Sequence, residues 1–228
     1  MNKFNIISVI TICVISNALF AQEGYINREL SDIINQLNWN KKIQMDAPEI
    51  SGSPYLDKEF KEADIYTNDK YKISKVRMRY NLYNDEFQFE NKNMIMAIAD
   101  PGRIDKIVIG DEVFIYLNDK EQKTVSGYVK QWNSRLPAVI TKMKVNFFEK
   151  EKPKPYTEPK PDRFERAQDE HYLMKSKNEI ENVGSVKKLI KSLGDHEAEL
   201  SEFAKKEKIS AGDPAELAKL LDYFHLLE

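Results

Sequence analysis

The stretch Val76-Arg77-Met78-Arg79-Tyr80-Asn81-Leu82-Tyr83-Asn84-Asp85-Glu86-Phe87-Gln88-Phe89 decides the fold class. Val76, Met78, Tyr80 and Leu82 alternate with Arg77, Arg79, Asn81 and Tyr83. Successive side chains of a strand point to opposite faces. This period of two therefore predicts one buried face and one that is wet or meets a partner. Asn84-Asp85 then turns the chain into Phe87 and Phe89. On this register Met78→Asp should destabilise strongly, because it buries an unpartnered charge. Arg79→Ala should cost little.

The same grammar extends both ways. Ile65 and Tyr66 end a strand at Asn68-Asp69, and Asn91-Lys92-Asn93 leads into Met94–Ile98. Pro101-Gly102 precedes Ile104–Ile109, and Gly110-Asp111 precedes Val113–Leu117. Thr124–Trp132 turns at Asn133-Ser134, and a last strand covers Val139–Phe148. Short strands separated by turn residues predict an antiparallel β-meander over residues 58–149, a roll or open barrel. Sequential pairing is its simplest connection.

Upstream, residues 22–57 read as a helix followed by an irregular segment. Leu30, Ile33, Ile34 and Leu37 lie at helical spacing, and Ser51-Gly52-Ser53-Pro54 is a turn cluster. Downstream, residues 150–162 carry Pro153, Pro155, Pro159 and Pro161 among lysines and glutamates. Such a stretch predicts an extended, exposed connector. Residues 163–228 follow as strand pieces at Phe164–Arg166, His171–Met174 and Ile180–Val183, then helices. Ser185 should cap a helix that stops at Gly194, and Asp195 a second one with Leu200, Phe203 and Ala204 inside. Asp213-Pro214-Ala215-Glu216 has the layout of a capping box ahead of the apolar face Leu217, Leu220, Leu221, Phe224, Leu227. The expected class is α+β: the meander, then a small C-terminal helical domain.

The first 21 residues have the layout of an export signal. Lys3 is followed by an apolar run from Phe4 to Ile15, then Ala18 and Ala21 as candidate cleavage positions, Ala21 preferred. The run is shorter than the ~20 apolar residues a membrane span needs. Cys13 is the only cysteine, and Ile10, Thr11 and Ile12 before it are not the small residues lipidation requires. The mature chain is thus expected to be soluble, periplasmic or secreted, without thiol or disulfide and without a transmembrane span. Lys and Arg number 35 against 37 Asp and Glu, a net charge of −2. With no basic excess, nucleic acid is not the expected partner.

Chemistry-bearing motifs are sparse. His171, His196 and His225 form no HExxH or paired spacing, and Ser51-Gly52-Ser53 lacks a GxSxG context. There is no phosphate-cradling glycine loop and no EF-hand. Asp85-Glu86 and Asp111-Glu112 read as solvated turn acids. The sequence therefore nominates no catalytic, cofactor-binding or metal residue and points away from an enzyme, with a hydrolase the least expected reading. The remaining feature is aromatic. Strand aromatics pair within a core as a rule. The alternative is an open face for an apolar or carbohydrate ligand, with Tyr80, Tyr83, Phe87, Phe89, Tyr116 and Trp132 as the candidates.

Two stretches carry a resemblance: Ser51-Gly52-Ser53-Pro54-Tyr55-Leu56, and Arg79-Tyr80-Asn81-Leu82-Tyr83-Asn84-Asp85-Glu86-Phe87-Gln88-Phe89. With the C-terminal run from Val186-Lys187-Lys188-Leu189-Ile190 to Tyr223-Phe224, the chain resembles a family of uncharacterised exported proteins of Bacteroidota. The resemblance implies an envelope or secreted protein of a Gram-negative bacterium. It brings no activity and no site residue. The resulting expectation is an exported cell-envelope protein, a non-enzymatic binding or structural module that meets another envelope protein or an apolar ligand. The runner-up is a carrier of lipid or another apolar ligand on a curved β-sheet.

Overall fold

The computed structural model describes residues 26–27, 41–42, 50–92, 94–118, 124–150 and 161–228. The export signal, the helix expected over 27–38 apart from its first residue, and most of the proline-rich connector lie outside the described residues; that first residue, Asn27, is in a strand and not a helix.

Strand-forming sequence becomes strand almost where the alternation lies. Two short strands, β1 (Ile26–Asn27) and β2 (Lys41–Lys42), precede β3 (Lys61–Thr67), β4 (Tyr71–Asn81), β5 (Glu86–Asn91) and β6 (Met94–Ala97). A 3-10 turn at Pro101–Arg103 leads to β7 (Ile104–Ile109), β8 (Glu112–Leu117), β9 (Gly127–Gln131) and β10 (Ala138–Lys142). Then come β11 (Val145–Phe148), β12 (Arg163–Arg166), β13 (Glu170–Ser176) and β14 (Glu179–Asn182). The chain ends in α1 (Val186–Leu193), α2 (Glu197–Lys206) and α3 (Pro214–Leu227). The protein is α+β: a mostly antiparallel, unclosed sheet followed by helices. The sheet runs β14-β13-β10-β9-β8-β7-β3-β4-β5-β6-β2, with β1 parallel to the start of β4, and β11-β12 form a separate pair.

The sheet rolls. Tyr80 on β4 and Tyr128 on β9, separated in the sheet by β3, β7 and β8, meet edge to face at 5.9 Å. Phe87 and Phe114 join them, and Ile65, Met78, Phe89 and Ile107 complete a buried interior. A bulge in the β3–β4 ladder assists the bend. The register skips between Ala63 and Ile65, and Lys75 takes a left-handed φ of 59° while its amide donates to Asp64 Oδ1 at 3.3 Å. That bulge puts Ile73 and Val76 on the same buried side despite their odd spacing.

Four expectations need correction. The face of β4 opposite Met78 and Tyr80 is not simply wet. Arg79 and Asn81 are buried, because residues 51–60 lie across it as a strap. Leu56 N donates to Tyr80 O and Leu82 N to Pro54 O, while Arg79 reaches Gln88 Oε1, Lys58 O and Tyr55 Oη. The strap is tight at Gly52: its φ is +83°, and a Cβ there would overlap the Phe164 carbonyl oxygen. Second, Val139–Phe148 is not one strand. It breaks at Met143-Lys144, so that β10 stays in the large sheet while β11 leaves to pair with β12. Third, the strand pieces after the connector do not stand apart from the preceding strands: β13 and β14 extend the large sheet beside β10, and β12 pairs with β11.

The helices also bind the large sheet. Asn133, 4% exposed, donates through Nδ2 to Ala218 O and Asp222 Oδ1 and accepts from Val139 N. Leu217, Leu220, Leu221 and Phe224 pack with Val139 and Leu173 of the sheet. Ser185 caps α1 by accepting from Lys188 N, and Asp213 caps α3 by accepting from Ala215 N and Glu216 N. The fourth correction concerns caps. The residue before α2 is His196, left-handed at φ 57° and without a side-chain cap, rather than Asp195. Glu216 also turns to Ser210 N instead of closing a reciprocal box on Asp213.

Candidate functional site

The β4–β5 turn carries a densely connected polar group, Asp85. Asp85 stands in a left-handed conformation, φ 53°, which a short acidic side chain tolerates. Its carboxylate accepts from Tyr80 Oη at 2.5 Å, Tyr128 N at 3.3 Å and Lys142 Nζ at 2.8 Å. Lys142 Nζ donates also to Tyr128 O at 3.1 Å. The turn is thereby tied to β9 and β10 across the mouth of the roll. Gly127 makes the approach possible: its φ is +80°, and a Cβ there would fall inside the Asp85 carboxylate.

Above this network opens a cleft of about 410 Å³. Its walls are the turn residues Tyr83 and Asp85, Thr124 and Ser126 ahead of β9, Lys142 and Lys144, Asn146 on β11, and Glu170 and Tyr172 on β13. Tyr83 is 48% exposed and leans edge-on against Phe164 and Phe147. The cations of the cleft have anions beside them. Lys142 is paired with Asp85, and Lys144 Nζ lies 3.8 Å from Glu170. Tyr172 donates to Glu170 Oε2 at 2.6 Å. Burial, and then that bond, push the Tyr172 phenol up to about 12. Burial first, with Asp85 adding to it, raises the Tyr80 phenol well above its ordinary range. Both phenols stay protonated at neutral pH and act as donors, not as bases.

Of the six aromatics nominated from the sequence, Tyr83 alone lines this cleft. Tyr80, Phe87 and Phe89 are at most 2% exposed and fill the roll, so they present no open face. Tyr116 packs on Tyr128, ring centroids 5.1 Å apart. Trp132 sits among the residues under the helices, donates to Thr141 Oγ1 at 2.9 Å and carries Lys130 Nζ 3.9 Å over its ring. The histidines are spread out: His171 bonds Thr141 Oγ1, His225 bonds Pro137 O, and His196 precedes α2. Among the described residues no three His, Cys, Asp or Glu side chains converge as a metal site. Sequence reading set Asp85 aside as a solvated turn acid and did not single out Lys142 or Tyr172. One signal was available, a glycine inside a predicted strand, which marks close approach of another group.

The fold and the cleft define an α+β protein with a rolled antiparallel sheet and a polar, charge-balanced concavity at its mouth. No protein-family model, curated protein or solved structure matches the chain.

Proposed function

We propose that the protein is an exported, non-enzymatic binding module of the cell envelope whose ligand is a small neutral molecule rich in hydroxyl groups, held in the Tyr83–Asp85–Lys142 cleft. One observation carries the reading: the charged groups lining the cleft are arranged in neighbouring pairs of opposite sign. Such a site offers no net field to an anion or a cation. It offers hydrogen bonds from Ser126, Thr124 and Asn146, carboxylate lone pairs from Asp85 and Glu170, and one exposed ring, Tyr83. That mixture suits hydroxyls on one side of a ligand and C–H groups on the other. Catalysis draws no support from the cleft, since the Tyr172 phenol keeps its proton at neutral pH and no histidine lines the walls among the described residues. Export is supported by the charged, apolar, small-residue order of residues 3–21, and the resemblance to exported Bacteroidota proteins points the same way. The carrier reading draws no support from Tyr80, Phe87 and Phe89, which pack the sheet's interior.

Ligand-observed NMR with glucose, galactose, N-acetylglucosamine and their methyl glycosides tests the site. Saturable binding that weakens in Tyr83→Ala and Asn146→Ala supports it. No binding of any neutral saccharide, or binding indifferent to both substitutions, sinks it. N-terminal sequencing of the exported protein should begin at or near Gln22, and retention of Met1 would overturn the export half.

A further inference from the structure

A second concavity, about 610 Å³, lies between α1 and α2, away from the polar cleft. Val186, Ile190, Ala204 and Ile209 give it an apolar lining, with Ile190 and Ala204 themselves buried. Its rim is cationic: Lys187, Lys205 and Lys208 line it, and no carboxylate does. The three lysines are exposed, and no ion pair among the described residues reaches them, whereas nearby Lys219 is paired with Glu207.

Local physics explains only one of these cations. Lys205 sits in the last turn of α2, where the helix dipole favours positive charge. Lys187 sits in the first turn of α1, where the dipole opposes it and no acidic residue offsets it. Lys208 occupies the left-handed position after α2, φ 56°, in a Schellman arrangement: Ile209 N donates to Ala204 O at 2.9 Å and Lys208 N to Lys205 O at 3.3 Å. Glycine is the usual residue there, and a side chain is strained. Two lysines thus stand where backbone or dipole disfavours them, and both face the same apolar groove. Strain kept at a concave site points to a ligand.

We infer that the groove binds a single-chain fatty carboxylate, its alkyl chain on Val186, Ile190, Ala204 and Ile209 and its carboxylate among the three lysines. A mostly apolar cleft of this size with a few convergent polar groups has the make-up of a small-ligand site, and the unbalanced positive rim selects the charge of the head.

The test is a ¹H–¹⁵N NMR titration of the whole protein with decanoate below its micellar concentration. Shifts should saturate and centre on Val186, Ile190, Ala204 and Ile209. Decanol, with the same chain and no charge, should bind about tenfold more weakly, as should decanoate with the Lys187→Glu/Lys205→Glu/Lys208→Glu variant. These positions are exposed, so circular dichroism should be unchanged. Lys208→Gly separates ligand from scaffold: it should weaken decanoate binding while leaving the melting temperature equal or higher. The inference is overturned by no saturable decanoate binding, by equal binding of decanol, or by a triple variant that binds as well as the parent. Co-sedimentation with phosphatidylglycerol vesicles in the absence of decanoate binding would also overturn it, in favour of a membrane surface.

Discussion

Asp85→Ala removes the acceptor that joins the β4–β5 turn to β9 and β10, and its cost can be worked from the contacts. Lys142, its side chain 7% exposed, loses the Asp85 carboxylate. Tyr80 Oη and Tyr128 N lose their bonds to Asp85 as well. Truncating one partner of a buried ion pair costs about 3–5 kcal/mol. Asp85 itself is 35% exposed, so water reaches part of the vacated space and the low end applies, about 3 kcal/mol. Asp85→Asn keeps an oxygen acceptor and a residue type that tolerates φ 53°, and removes only the charge, at about 1–2 kcal/mol. Lys142→Met leaves a carboxylate that is partly wet and should also cost about 1–2 kcal/mol. Urea denaturation followed by circular dichroism gives the four corners of the Asp85→Ala/Lys142→Met cycle. The double variant should be more stable than the sum of the single costs implies, by about 1–2 kcal/mol. Strict additivity, or an Asp85→Ala midpoint equal to that of the parent, would show that the network does not hold the roll together.

Four further outcomes are expected. Arg79→Ala should cost about 2–3 kcal/mol by urea midpoint, because it strands Gln88 and empties the space between Tyr55 and Phe60. Arg77→Ala, on the exposed side, should stay within about 0.5 kcal/mol; equal costs would refute the strap's role. Gly127→Ala should destabilise by about 3 kcal/mol, since a Cβ meets Asp85 and the φ is left-handed, whereas Gly110→Ala, left-handed in open space, should cost about 1 kcal/mol; similar melting temperatures would contradict this. In alkali, the unfolded chain releases the Tyr172 proton near its ordinary value of 10.0, before the folded protein does at about 12. That stabilisation is therefore whole below pH 10 and lost between about 10 and 12, so Tyr172→Phe should show a shallower fall of melting temperature across that range. Finally, cutting a protease site engineered between Lys150 and Asp162 should leave two fragments that co-elute on size exclusion, since β13 and β14 pair into the sheet of the β-rich body; separate elution would restore a two-domain division.

The alternation from Val76 to Leu82 and the turn residues around it determine by themselves that this chain builds antiparallel strands. Strand order within β3-β4-β5-β6 and within β7-β8-β9-β10 follows from short connections, though not the return of β7 to the side of β3, and the Ser185 and Asp213 caps are local bonds within a few residues. Each of these depends on neighbours in sequence, so each is legible there. The rest depends on groups far apart in the chain. Arg79 is buried only because Tyr55, 24 residues away, crosses its face, and nothing in a period of two reveals what covers the second side of a strand. Asp85 reads as a solvated turn acid until the roll carries Lys142, 57 positions on, to its carboxylate. Val139–Phe148 reads as one strand because propensity is continuous across it; only the competing pairings with β13 and β12 decide that it breaks. The lysines of the helical groove look like an ordinary charged surface until two helices bring them to one rim. Local propensity and periodicity are properties of the sequence. Which surfaces meet, and so where a site forms, is decided when the sheet curls and buries its own aromatic face.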